Sequence, residues 1–406
     1  MSPSTAAVAP LSDLHIHLYG CIRPLALLRH LAAAEDIKYW DWYESEFEAV
    51  YGFVPPARQL VERYRAGDHS VVGEFAALRV VSDADAGNFA RFQAKGNLTW
   101  IATDYTPDRL ESEVLAFAKD IRDDLIAQGI AHVEQRTFPT GPRALFETFA
   151  RDTDRVVQRA VATLPREKPL PVWEHVKETL VSDVGHVMTA IDFSGVEEGF
   201  SPKQLAYLFA DVHPFNEARP DRAVAILDHV GESFTDKSIE SAIRWVQEAA
   251  ELGVNRIGHA IALGIDPASF RPHTRTESVS ERRDQIAYDL AHADELGRAG
   301  VRVDTDVLER EETDLAEREA DDAVDVVYDS ERLRDLRARQ DFAMNRVRAT
   351  GAVIEVCPTS NRRIGGITDP AHHFLAAGIV HHEPRASLTR TVPRCSRARR
   401  ARVEST

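Results

Sequence analysis

Cysteine and lysine are the scarce residues of this 406-residue chain. The three cysteines, Cys21, Cys357 and Cys395, form no CxxC pair, which excludes a disulfide-rich secreted scaffold and a thiolate zinc finger and favours a reducing compartment. Seven lysines stand beside 42 arginines, and 65 acidic against 49 basic residues leave a net charge of −16. A balance that negative argues against nucleic acid as a partner, because backbone phosphates demand cations. An acid-rich, lysine-poor composition speaks of salt adaptation or a high-GC genome, not of an activity. No stretch reaches 18 consecutive apolar residues, so no membrane span is expected. Residues 1–10 carry neither a basic nor a long apolar segment, so no secretory signal is expected and the protein reads as cytoplasmic. Internal repeats are also lacking.

Hydrophobic residues make up 44% of the chain, with 21 Gly and 20 Pro, enough apolar surface for a large globular core. From residue 112 onward helical and strand periodicities alternate. A helix is expected over 112–128, stopped by Gly129, then a strand over 130–136. Further helices are expected near 151–163, 202–210, 236–252 and 338–349, and strands near 187–193, 223–229, 254–258 and 352–356. Repeated βα units predict an α/β protein with a parallel sheet covered by helices and its chemistry at the C-terminal ends of the strands. Two stretches interrupt the rhythm. Residues 36–110, rich in aromatics such as Tyr39, Trp40, Trp42 and Tyr43, predict helices laid over the barrel mouth. Residues 266–347, with 14 acids and four Arg between 304 and 335, predict a solvated helical insertion. On this reading residues 1–380 form one barrel carrying both insertions, and 381–406, Arg-rich and aperiodic, form a tail foreign to it.

Three histidine-bearing segments end predicted strands. In Asp13-Leu14-His15-Ile16-His17-Leu18, alternation sends His15 and His17 to the same side, so both imidazoles can reach one divalent ion; two polar residues at a strand end is the plainer alternative. Asp228-His229-Val230-Gly231-Glu232 offers another nitrogen ligand with a carboxyl group beyond it, or simply a polar strand-to-loop turn. Asn255-Arg256-Ile257-Gly258-His259-Ala260 repeats strand then histidine. Cys21 and Cys357 read as packed thiols, and His372 and His373 as residues of a helix start.

Taken in order, His15-Ile16-His17-Leu18-Tyr19-Gly20, His229-Val230-Gly231-Glu232, Arg256-Ile257-Gly258-His259 and Glu355-Val356-Cys357-Pro358-Thr359-Ser360-Asn361 resemble the adenosine deaminase family of zinc (β/α)8-barrel hydrolases. Val133-Glu134-Gln135-Arg136 and Ile191-Asp192-Phe193-Ser194-Gly195-Val196-Glu197 resemble two further strand ends of that family. The resemblance implies a TIM-type barrel with zinc bound by His15, His17 and His229. It further implies that Glu232 protonates the purine ring nitrogen beside the reacting carbon, His259 orients the attacking water and helps take its proton, and the Gly195 backbone touches the purine ring. The implied substrate is a purine nucleoside or base, with ammonia released and no nucleic acid or membrane as partner; no oligomeric state is implied. The H-x-E…P-C-x-x-C signature of the other zinc nucleobase deaminases is absent.

Two departures stand out. The family closes its site with Asp-Asp-Pro, one aspartate completing the zinc shell and the next holding the hydroxide. Here Phe374 to Ile379 resembles the approach, and the pair is expected near Ala386 and Ser387, yet residues 380–406 contain no aspartate. The closing strand and helix are therefore expected to be missing. A frame change or truncation after about residue 380, substitution of the ligand by His381, His382 or Glu383, or a protein that keeps the fold for binding alone would each account for this. Secondly, Tyr19 stands where the family commonly carries an Asp facing the ribose, so the sugar side is expected to differ, the alternative being that Tyr19 merely packs. Asp13 to His17 also resembles the first strand of polymerase-and-histidinol-phosphatase-type phosphoesterases, but the Glu232 and His259 motifs do not.

Overall fold

Alternation of side chains along eight strands builds two faces, and the structure, a computed structural model, shows where each face goes. It describes residues 11–102, 107–138, 141, 143–151, 155–233, 235–364 and 386–388. Strands β1 (Leu11–His17), β2 (Ile130–Thr137), β3 (Val157–Thr163), β4 (Met188–Phe193), β5 (Ala225–Val230) and β6 (Arg256–His259) follow one another in the sheet. After them β7 (His273–Ser278) and β8 (Ala323–Tyr328) form a separate antiparallel hairpin. The sheet then resumes with β9 (Val353–Val356) and β10 (Ala386–Leu388), every pairing in it parallel. The result is an α/β TIM-type barrel with helical insertions.

One strand face, with Ile16, Val133, Ile191, Ile226, Ile257 and Ile354, packs outward in a single large core. On the inner face Val161, Ala190 and Leu227 form a small apolar layer. Stepping two residues along from Ala190 and Leu227 brings Asp192 and His229 to the same face, so the interior turns polar toward the strand ends. Between β1 and β2 lie the helices Trp40–Tyr51, Ala57–Arg65, Val72–Arg79 and Phe89–Trp100, the last two of which, through Arg79 and the Phe89–Trp100 face, roof the mouth of the barrel.

Three expectations need correction. The closing strand is present: β10 pairs with β9 through Ala386↔Ile354, Ser387↔Glu355 and Leu388↔Val356. A parallel ladder is made by backbone groups, so a segment without side-chain periodicity can still supply one. The rest of the tail, including His372, His373, His381, His382, Glu383 and Cys395, lies outside the described residues. Residues 157–163 are strand, not helix; the helix is Arg143–Arg151. Gln158 and Arg159 interrupt the strand's apolar residues, and the consecutive buried Ala160, Val161 and Ala162 cover both faces, so spacing does not discriminate the two. Residues 266–347 are mixed: the helices Val279–Ala291 and Thr305–Leu315 accompany the β7–β8 hairpin, whose Thr and Val alternation was hidden among the acids. Among the described residues no helix is long and apolar enough to cross a membrane.

Candidate metal and substrate site

At the C-terminal ends of β1 and β5 three imidazoles converge. His15 Nε2 lies 2.9 Å and His17 Nε2 3.3 Å from His229 Nε2, and one ligand atom from each residue falls within 4.8 Å of the other two. The far nitrogens are anchored. His15 Nδ1 donates to Glu355 Oε2 at 2.7 Å and His229 Nδ1 donates to Asp192 Oδ1 at 3.0 Å. Carboxylate partners fix the Nδ1–H tautomer, so both Nε2 atoms present lone pairs to each other. Facing lone pairs at that distance repel unless a cation lies between them, and the donor set fits a divalent metal such as zinc. Burial reinforces it by pushing His15 and His17 well below the ordinary imidazole range, away from protonation. A second trio, His15, His259 and Cys357, also comes within 4.8 Å, but His259 Nδ1 is engaged by Asn361 Oδ1 at 2.7 Å.

Beneath the imidazoles runs an ionic layer. Arg136, 2% exposed, donates Nε to Asp192 Oδ2 at 2.8 Å and a terminal nitrogen to Glu355 Oε2 at 2.5 Å. Arg256 bridges Glu355 and Glu134, and both arginines also reach the Leu14 carbonyl. Burial alone would raise Asp192; His229 and Arg136 outweigh it and hold the carboxyl far below its usual range. These anchors were within the recognised motifs, yet their roles escaped sequence reasoning.

Above the imidazoles His259 Nε2 faces Glu232 Oε1 at 3.4 Å. The Asn361 bond takes the His259 Nδ1 proton, leaving Nε2 as the acceptor, and burial brings that ring down to about 4. Burial also raises Glu232 to about 7, against the opposing pull of the His229 ring. The two groups are thereby set as a neutral base and a carboxylic acid on the same space. The backbone is bent to achieve this: His259 and Ala260 have φ of 68° and 48°, a left-handed pair without glycine. Gly258 is required beside them, since a Cβ would stand 3.2 Å from His15 Cε1 and His229 Cγ.

The Glu232 loop is clamped from the loop that follows β4. Glu197 accepts from Gly231 N at 2.8 Å and Ser233 N at 2.7 Å, bracketing Glu232. Arg166 braces the strand below through Asp228, at 2.9 Å, and the His229 carbonyl. The site opens into a cavity of about 340 Å³ lined by His15, His17, His229, Glu232, His259 and Gly195 among others. Gly195, at φ 99°, exposes its backbone there. Tyr19, Trp100 and Phe138 form an aromatic wall with ring centroids 5.3 to 5.8 Å apart. All six residues expected at the site thus lie around one cavity.

Fold and site define an α/β barrel with a histidine cluster at its strand ends. The model of the adenosine deaminase family matches residues 10–286, and the chain belongs to that family. No curated protein matches the sequence. Among solved structures, Arabidopsis ADAL complexed with GMP is similar at 15% identity and a TM-score of 0.50, over 94% of this chain and 80% of that one. The Arabidopsis N6-mAMP deaminase MAPDA aligns at 15% identity and 0.49, over 94% and 81%. A Burkholderia ambifaria amidohydrolase with bound zinc aligns at 14% and 0.41, over 92% and 80%.

Proposed function

We propose that this chain carries out zinc-dependent hydrolytic deamination of adenosine or a related purine, and that it does so in the cytoplasm. The convergence of His15, His17 and His229 through anchored rings, with Glu232 and His259 above them, carries the reading. Zinc held by these three imidazoles would lower the pKa of a water molecule so that hydroxide is available near neutral pH. His259, with Asn361 holding its Nδ1 proton, accepts the proton of the attacking water at Nε2. Protonated Glu232 donates to the purine ring nitrogen next to the reacting carbon, so that charge does not build on that nitrogen as the carbon–oxygen bond forms. The carbon–nitrogen bond then breaks, and ammonia leaves with a proton returned from the site. Gly195 offers backbone to the purine ring.

A second reading, binding without turnover, is favoured by the closing strand: β10 stands where the aspartate pair is expected but carries Ala386, Ser387 and Leu388. Three histidines can hold zinc without a carboxylate, but hydroxide would then lack the group that aims it. Metal content of the purified protein together with the fall in adenosine absorbance tests both readings. Zinc uptake with conversion to inosine supports the enzyme; zinc uptake with inosine binding and no turnover supports the binder. Protein that takes up no zinc, or a Glu232→Gln variant with full turnover, overturns the first.

A further inference from the structure

The cavity is cationic within a strongly acidic chain. Among the described residues three arginines, Arg79, Arg136 and Arg363, line it against one carboxylate, Glu232, although the whole chain has 65 acidic and 49 basic residues. Arg136 is neutralised from below by Asp192 and Glu355. Arg79 has no such partner. Its NH2 donates to the carbonyls of Tyr19 at 3.0 Å and Gly20 at 3.3 Å, just past His17, while its Nε is enclosed and unbonded. No carboxylate of the described residues pairs with it, and burial disfavours its charge. Arg363 gives NH1 to the Val81 carbonyl at 2.6 Å, and its one carboxylate neighbour among the described residues is Asp83, 3.8 Å away and shared with Arg362 at the same distance. Arg363 thus bonds to the chain two residues beyond Arg79, and both side chains line the same cavity. Both side chains are half-buried, and a guanidinium partly withdrawn from water without a close carboxylate gains from a ligand that brings an anion.

We propose that Arg79 and Arg363 form a phosphate subsite and that the substrate is a purine nucleoside monophosphate. This rests on the deaminase reading for the base, and adds the charge of the sugar end. A phosphate monoester suits the pair because it is nearly dianionic at neutral pH and its oxygens match planar guanidinium donors. Tyr19, in place of an acid at the cavity wall, leaves the approach free of repulsion.

The test is calorimetric titration of the full-length, zinc-loaded protein with inosine and with inosine 5′-monophosphate, neither of which can be deaminated further. The monophosphate is expected to bind about tenfold or more tighter at low ionic strength, with the advantage shrinking in 0.5 M salt. Arg363→Gln and Arg79→Gln should each bring the affinity ratio toward one, and Arg79→Lys should keep part of it. Arg363→Gln keeps the test alive where loss of the Arg79 backbone contacts prevents folding. Equal affinity for the two ligands, or a ratio unchanged in both Gln variants, overturns the subsite. Inorganic phosphate separates the two readings: a rise in melting temperature beyond that in chloride of equal ionic strength, lost in Arg363→Gln, supports the subsite even where inosine fails to bind, whereas that failure counts against the purine assignment.

Discussion

Arg136 ties together the anchors of two histidines, contacting Asp192, which holds His229, and Glu355, which holds His15. Replacing it with Met leaves two buried carboxylates short of a cation, a loss of about 3–5 kcal/mol in stability. The same change should weaken zinc binding by about 10- to 100-fold, read by thermal melting and by competition with a chromophoric chelator. Glu232→Gln should lower deamination by about 10²- to 10⁴-fold while zinc content stays constant, a split that metal analysis and turnover measure side by side. Stripping the metal should lower stability by about 4 kcal/mol when free zinc had stood a thousandfold above its dissociation constant. The histidines were readable from sequence because strand alternation and their order along the chain mark them. Asp192, Glu355 and Arg136 were not assigned roles, since their partners lie 56 and 219 residues from Arg136 and no local spacing links them.

The roof helices between β1 and β2 depend on one buried pair of charges. Asp85 accepts from Lys95 Nζ at 2.9 Å, Tyr51 at 2.8 Å and Ser82 N at 2.8 Å. Burial pushes its carboxyl up, but Lys95 and Ser82 prevail and bring it from 3.8 to about 2. A depressed carboxyl contributes its stability above the unfolded pKa and loses it as pH falls through the folded one. The roof should therefore keep this support above about pH 4 and lose it between about pH 4 and 2. Asp85→Ala should remove it at every pH and leave the Lys95 ammonium buried with the Val80 carbonyl but no counter-ion, costing about 3 kcal/mol or more; acid titrations of the two proteins, followed by aromatic fluorescence, should diverge above pH 4 and meet near pH 2. At this scale helices with strong amphipathic spacing were readable. The Val157–Thr163 strand and the β7–β8 hairpin were not, the first because both its faces are covered and the second because charge obscured its alternation.

For the molecule as a whole, the barrel order followed from the motif order, whereas the closing strand did not, because its three residues carry no pattern of their own. β10 pairs Ala386 with Ile354 and Ser387 with Glu355, and strand alternation predicts that an aspartate introduced at only one of the two positions faces inward. Ala386→Asp and Ser387→Asp, made separately, should differ: the inward one is expected to raise adenosine turnover about tenfold or more, and the other to leave it unchanged. If neither raises turnover while both proteins bind zinc, binding without catalysis is the better reading. The bond between His15 and Glu355 joins residues 340 apart in the chain. At the usual pace of about 5–20 residues per second, a ribosome delivers the second roughly 20 to 70 seconds after the first. For that interval β1 lacks its distant neighbours, and the His15 ring waits in the nascent polypeptide without the β9 carboxylate that anchors it. Such a chain exposes an unpaired edge and half-built polar interior to the cell, so its yield should depend on shielding during translation more than on the stability of the finished fold.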